Sequence, residues 1–265
     1  YNTGGANTAV LQLNQNEQIA NAAAVNIKTD GKFDLNGKTE TIGSLTGSGT
    51  LAIGSGSLIV GDSTSTSFSG SITGTGSLTK QGSGTLTIAS NVSIGGSVTV
   101  NAGTLAFTGS LPSIAGTLTL GAGSTLLLDL SGLNHTLTVD TIHITGNTVI
   151  DFGSGSASIL NVNTFILDAG VTLVSITDWG NTSDFFFAQA WSGATLDTRG
   201  AGTPETQVTF SGYLPSQTAW LSNDPSGFNQ ITPAPEPATY GLILMGAGIA
   251  LVGYRRHLFR KKRSV

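Results

Sequence analysis

The stretch "GTGSLTKQGSGTLTI", Gly74 to Ile88, decides the fold. Leu78, Leu86 and Ile88 alternate with hydroxyl residues, the period of two that marks a half-buried strand. The phrase recurs as "GTLAI" at Gly49, "GSLIV" at Gly56, "GSLTK" at Gly76, "GTLTI" at Gly84, "GSVTV" at Gly96, "GTLAF" at Gly103, "GTLTL" at Gly116 and "GSTLLL" at Gly123. Gly76, Gly96 and Gly116 lie twenty residues apart, and Gly84, Gly103 and Gly123 lie nineteen and twenty apart. Two interleaved series with one period describe a coil that makes at least two strands per turn.

A parallel β-solenoid satisfies that pattern. Each rung pairs its backbone with the next at ~4.8 Å. Inward Leu, Ile and Val then form a core that no single rung can bury alone. The glycine before each strand is expected to supply the positive φ of a sharp corner. The reading is all-β, a right-handed parallel β-helix with about 20-residue rungs over residues 25–176, roughly seven of them at that spacing. It places Leu78, Val98 and Leu118 in one inward ladder. The rival is an antiparallel sandwich, which also uses short strands but has no reason to keep a twenty-residue period.

Composition agrees. Glycine supplies 37 of 265 residues and charge only 10%, unlike disordered chains, which are highly charged and poor in β-branched residues. There is no cysteine, so disulfide and thiol chemistry are excluded. The chain opens Tyr-Asn-Thr-Gly-Gly without Met or an apolar leader, and either a removed signal peptide or a fragment is expected. Residues 1–24 are expected to cap the solenoid or continue one upstream.

The segment "DGKFDLNGKTETIGSLTGSGTLAIGSGSLIVGDSTSTSFSGSITGTGSLTKQGSGTLTI", Asp30 to Ile88, resembles the autotransporter-associated β-strand repeat, with Lys80, Gln81 and Gly82 in its core phrase. The resemblance extends to about Leu111 and fades beyond. It implies a β-helical region exposed outside a bacterial cell, and it carries no catalytic chemistry. No membrane β-barrel follows within these residues, so it implies an exported solenoid without autotransporter secretion.

After Ile176 the texture changes. Trp179, Phe185, Phe186, Phe187, Trp191, Phe210, Tyr213, Trp220 and Phe228 are nine of the eighteen aromatics. Residues 177–230 are read as a β cap over the open end of the core, since an uncovered end exposes apolar side chains and strand edges. A sugar-binding aromatic platform is the other reading. "ITDWGNTSDFFF", "VTFSGY" and "WLSNDPSGFNQITP" also resemble the terminal region of sorted bacterial surface proteins.

Candidate catalytic groups are sparse. His135 and His143 flank Asp140, but residues eight apart on one strand lie about 26 Å apart, and no HxH or HExxH spacing is present. Asp129, Asp140 and Asp151 recur every eleven residues, with Asp168 following. They lack the glycine-rich calcium pattern and read as turn residues. A polysaccharide lyase or glycosidase is the enzyme alternative. It would need a base in a cleft or two carboxylates about 5–10 Å apart, and no pairing is evident. No catalytic residue, metal or cofactor is assigned, and the chain is read as no enzyme.

The last thirty-odd residues carry the functional signal. From Tyr1 to Tyr254 fifteen acids face five bases, a net of −10, a poor surface for nucleic acid. Residues 231–237 are a linker ending in Pro235, Glu236 and Pro237. An apolar run at 238–254 has the length of a single transmembrane helix. Arg255, Arg256, Arg260, Lys261, Lys262 and Arg263 follow in a basic tail over 255–265, which by the positive-inside rule stays cytoplasmic and turns the solenoid outward. Motif, helix and basic end together resemble the PEP-CTERM sorting signal of Gram-negative bacteria. That resemblance implies an exosortase as partner, a protein released or re-anchored at the cell surface, and an association with exopolysaccharide and biofilm matrix. Self-association into filaments is a further possibility for the rod.

Overall fold

The computed structural model describes residues 9–233 except 91, 110–111, 129–134, 155–157, 180–183, 194–206, 214–217 and 223–228. The described residues are all-β, wound as a right-handed solenoid of about seven turns. Three strands make each turn, so the coil has three faces. The first face is built from β1 (Ala9–Gln12), β3 (Gly31–Asp34), β6 (Thr50–Gly54) and β9 (Ser71–Gly74).

The second face is a nine-stranded sheet: β2 (Ala24–Ile27), β5 (Ser44–Gly47), β8 (Thr66–Phe68), β11 (Thr85–Ile88), β14 (Gly103–Phe107), β16 (Ser124–Leu127), β18 (Thr148–Asp151), β20 (Val174–Thr177) and β22 (Val208–Phe210). The third runs through β4 (Thr39–Ile42), β7 (Ser57–Val60), β10 (Ser77–Lys80), β13 (Val98–Val100), β15 (Ser113–Leu120), β17 (His135–Ile144), β19 (Ser158–Leu167) and β21 (Phe185–Gly193). Two final strands, β23 (Thr218–Ser222) and β24 (Asn229–Pro233), join its far edge, and β12 (Ser93–Ile94) pairs with the start of β15. From β15 onward one long strand covers the first and third faces. In β17 the inward residues are Leu137 and Val139, then Ile142 and Ile144, all 0% exposed. The skipped position lets Asp140 and Thr141 both point away at the corner.

The register follows the repeat. Leu58, Leu78, Val98, Leu118, Ile142 and Phe165 are successive Cα partners on the third face and are each 0% exposed. The expected inward ladder of Leu78, Val98 and Leu118 is therefore present. On the second face Leu86, Leu105, Leu126, Ile150, Ile176 and Phe210 form its counterpart. These ladders meet in one continuous core along the rod.

Two expectations change. Gly103 and Gly123 take the expected positive φ, but Gly76 and Gly96 do not. They are small because the rungs touch there: a Cβ on Gly96 would overlap the carbonyl oxygen of Gly76, and one on Gly76 that of Gly56. Parallel winding also passes 176, and of the two readings of residues 1–24 β1 fits a continued solenoid. β1 pairs parallel with β3, and β20 with β22. The glycine phrase is missing at both ends, but the apolar "AVL" of β1 and the alternating "VTF" of β22 are enough to add a strand to an existing edge. Among the described residues of 177–230 only β23 and β24 leave the parallel order, and Ile231–Pro233, expected in a linker, are part of β24.

Candidate functional site

The rod hands its chain directly to the C-terminal segment. β24 lies between two neighbours and pairs antiparallel with both. Phe186 faces Ile231 and Phe187 faces Gln230 on one side; Trp220 faces Ile231 and Thr218 faces Pro233 on the other. Ile231 is 0% exposed and belongs to the core, and Pro233 is buried as well. Pro233 lies beyond the last β21 pair, so on that side its missing N–H leaves no ladder bond unmade. Below this end the aromatics pack edge to face: Phe152 with Trp179 at 4.9 Å, Trp179 with Phe210 at 4.9 Å, and Phe165 with Phe186 at 5.3 Å. Phe185 and Phe187 stack on each other at 5.6 Å with planes 8° apart, so each covers a face of the other and the two do not lie side by side as one flat sugar platform.

Pro235, Glu236 and Pro237, the apolar run 238–254 and the basic cluster Arg255, Arg256, Arg260, Lys261, Lys262 and Arg263 lie outside the described residues. Among the described residues no helix is long and apolar enough to cross a membrane.

The histidine and aspartate candidates separate along the rod. His135 opens strand β17 and His143 is its last residue but one, and His135 is the Cα partner of Ser158 while His143 is that of Ile166. His143 Nε2 lies 2.8 Å from Asp168 Oδ1 on the next rung. Asp140 Oδ1 accepts from Asn163 Nδ2 at 2.9 Å. Asp151 Oδ1 accepts from the backbone N–H of Gly153 at 2.9 Å, a turn bond at the end of β18. Asp129 lies outside the described residues. Among the described residues no group of three or more His, Asp or Glu side chains is placed to hold a metal ion.

Two charged residues sit where the repeat places apolar ones. Lys80 is the inward partner of Val60 and Val100 and is 1% exposed. Its Nζ donates to the carbonyls of Gln81 at 2.8 Å, Gly82 at 2.8 Å and Ala102 at 3.2 Å. An ammonium has three donors, and here each has an acceptor. Burial pushes the Lys80 pKa below its ordinary value, and the charge of Asp62 pulls it partly back. The turn holds its shape through Gly82 at φ 69°, where a side chain would be strained. The Lys-Gln-Gly phrase is thus a corner that wraps backbone around a cation.

Glu40 is the inward partner of Leu58 and is 0% exposed. Its carboxylate accepts from the N–H groups of Gln18 at 2.8 Å and Ile19 at 3.2 Å. It fastens residues 13–19 over the edge of β4, with Glu17 N–H donating to the Thr39 carbonyl at 3.0 Å. Period-two counting through "SLTK" and "TETI" would have put both charges inward. Their charge argued for the surface, and the backbone acceptors and donors that settle the matter come from neighbouring rungs.

Comparison with known proteins adds two matches to this picture. A passenger-associated-transport-repeat matches residues 78–107, spanning the Lys80 corner and the rung above it. A PEP-CTERM protein-sorting motif matches residues 233–261, starting at the last residue of β24. No curated protein and no solved structure matches the chain. The chain therefore carries a passenger-associated-transport repeat within its solenoid and a PEP-CTERM protein-sorting motif directly after it.

Proposed function

We propose that this chain is an exported rod, delivered to the cell surface through its C-terminal sorting motif, with a structural or adhesive role in the surface or biofilm matrix of a Gram-negative bacterium. The observation that carries the reading is the join of a β-solenoid to a PEP-CTERM motif with no spacer domain between them. The motif implies recognition by an exosortase. The apolar run 238–254 anchors the chain in the inner membrane, at least until it is processed, with the basic cluster on the cytoplasmic side. Extracellular polysaccharide or other matrix components are the partners of the rod. Its function is mechanical, without turnover or a cofactor.

Mass spectrometry of protein recovered from the native cell surface tests the sorting half. Chains cut near Pro235–Pro237 are expected, and Val265 retained on most mature chains would leave a plain single-pass anchor. A turnover screen on acidic and neutral polysaccharides tests the other half, because catalysis lost with His143→Ala would restore the carbohydrate-active enzyme. A second reading, end-to-end assembly, is favoured by β1, where Val10 is 53% and Leu11 52% exposed although Leu11 is in register with the buried Phe33. Electron microscopy of the purified protein distinguishes filaments from single rods.

A further inference from the structure

Four planar polar side chains gather outside the rod where β17, β19 and β21 turn from the first face to the third. The strand pairing skips Asp140, Asn163 and Gln189, and all three are exposed at that corner. Asn163 Nδ2 donates to Asp140 Oδ1 at 2.9 Å. That bond uses one of the amide's two N–H donors and leaves its carbonyl and second N–H for other partners. Two residues earlier, Asn161 is the Cα partner of Phe187. Both lie half-buried on the outer side, because Leu160, Val162, Phe186 and Ala188 point into the core. Phe187 stacks on Phe185 with planes 8° apart, so each ring keeps one face turned away from the other. Strand order puts the outer face of Phe187 on the side of Gln189.

A ring face beside amides and a carboxylate is the chemistry that holds an uncharged sugar. Its C–H groups pack on the ring, and its hydroxyls bond to the planar polar groups. Asn163 is a diagonal neighbour of Phe187, ~7–8 Å away along the sheet, a gap that one pyranose ring spans. From Gln81 to Thr198 the sequence has no Lys or Arg, so an acidic polymer would meet Asp140 without a cation to offset it. We propose that this corner binds one unit of a neutral polysaccharide chain, with Phe187 as the stacking ring and Asp140, Asn161, Asn163 and Gln189 bonding its hydroxyls. The proposal rests on the matrix reading above and gives it a site. A single ring face suits a loose chain, whereas the flat surface of a crystalline polymer needs several coplanar rings.

The test measures binding of soluble neutral oligosaccharides (cellohexaose, laminarihexaose and N-acetylchitohexaose) and of alginate to the full purified chain by calorimetry. At least one neutral oligosaccharide is expected to bind, and alginate is not. Phe187→Ala and Asn163→Ala should each weaken that binding about tenfold. Thr99→Ala, on the outer side of β13, should leave it unchanged. Thermal melts check the fold of each variant; if Phe187→Ala melts early, the exposed Asn163→Ala decides alone. Undiminished binding in both variants overturns the site while the matrix reading stands. Alginate bound as tightly as the neutral sugars overturns the ligand class. No binding by the parent overturns the proposal outright, and the sorting reading is then still judged separately by the fate of the tail.

Discussion

Replacing Lys80 by Met tests how the Lys-Gln-Gly corner works. The side chains have similar length, so Met fills the same inward slot between Val60 and Val100. Two effects oppose each other. The carbonyls of Gln81, Gly82 and Ala102 lose the ammonium they bond, and a buried acceptor left without a donor costs about 1–3 kcal/mol. Met gains about 1–2 kcal/mol because an apolar tip suits that interior better than an ammonium. With three acceptors against one tip, the acceptors win, and Lys80→Met should lose about 2–4 kcal/mol. For a body of this size that lowers the melting temperature by about 5–15 °C. The pH dependence adds a sign. Burial holds the folded pKa below the ordinary 10.5, so between the two values the unfolded chain binds more protons than the folded one. The parent's stability therefore gains as pH rises through that window, and the Met variant has no such gain. Thermal melts of both proteins from neutral pH to about pH 10 check this. A Lys80→Met protein as stable as the parent at neutral pH would mean that the carbonyls find other donors, and the cradle account would fail.

Val98→Asp should cost several kcal/mol by placing an unpaired carboxylate between Leu78 and Leu118; a denaturant midpoint equal to the parent's would contradict the ladder. Gly96→Ala should cost about 1–3 kcal/mol, since its Cβ meets the backbone of Gly76 and only a shift of the rung relieves it, and calorimetry reads the loss directly. Asp34 is held below its ordinary 3.8, first by the Lys32 ammonium at 2.9 Å and then by the Asn36 N–H, with burial opposing. Its contribution is present above pH 3.8 and is lost as the pH falls through the lowered folded value. Acid titration of parent and Asp34→Asn should therefore show a stability gap at neutral pH that closes in strong acid.

Much of this fold was legible because a solenoid writes its geometry into its sequence. A step of twenty residues, with alternation inside each phrase, places Leu78 beneath Val98 without knowledge of any other contact. What was hidden depends on neighbours that periodicity does not name. The first face is the hardest to see: β6 carries the glycine phrase at Gly49, but "GKFD" at Gly31 and "SITG" at Ser71 stand outside both glycine series and become strands only when their rungs stack. The reach of the rod past 176 was hidden for a related reason, since an edge already formed accepts a strand of weak pattern. The glycines were located correctly but serve two causes: Gly103 and Gly123 take the expected positive φ, and Gly76 and Gly96 allow close approach between rungs. At the C-terminal end, "ITP" at Ile231 reads as the start of a linker, and only the pairing of β24 makes it part of a strand.

The two buried charges bear on a weakness of every repeat fold. When successive rungs are nearly alike, a slip by a whole rung keeps apolar residues against apolar residues and costs little, so a core of interchangeable Leu and Val specifies the winding poorly. Lys80 and Glu40 break that degeneracy. The Lys80 ammonium finds three acceptors only where its own turn and Ala102 of the next rung converge. One rung out, it lies buried against whatever corner occurs there, with donors unmet. Glu40 fixes the other side of the count, because its two donors belong to Gln18 and Ile19, which close the rod's first edge. Each charge is compensated in the native register, and each penalises the alternatives by the cost of an uncompensated ion. Three features therefore act at different steps of the winding. The glycine ladder sets how close the rungs come, the apolar ladders drive them together, and the two ions decide which rung meets which.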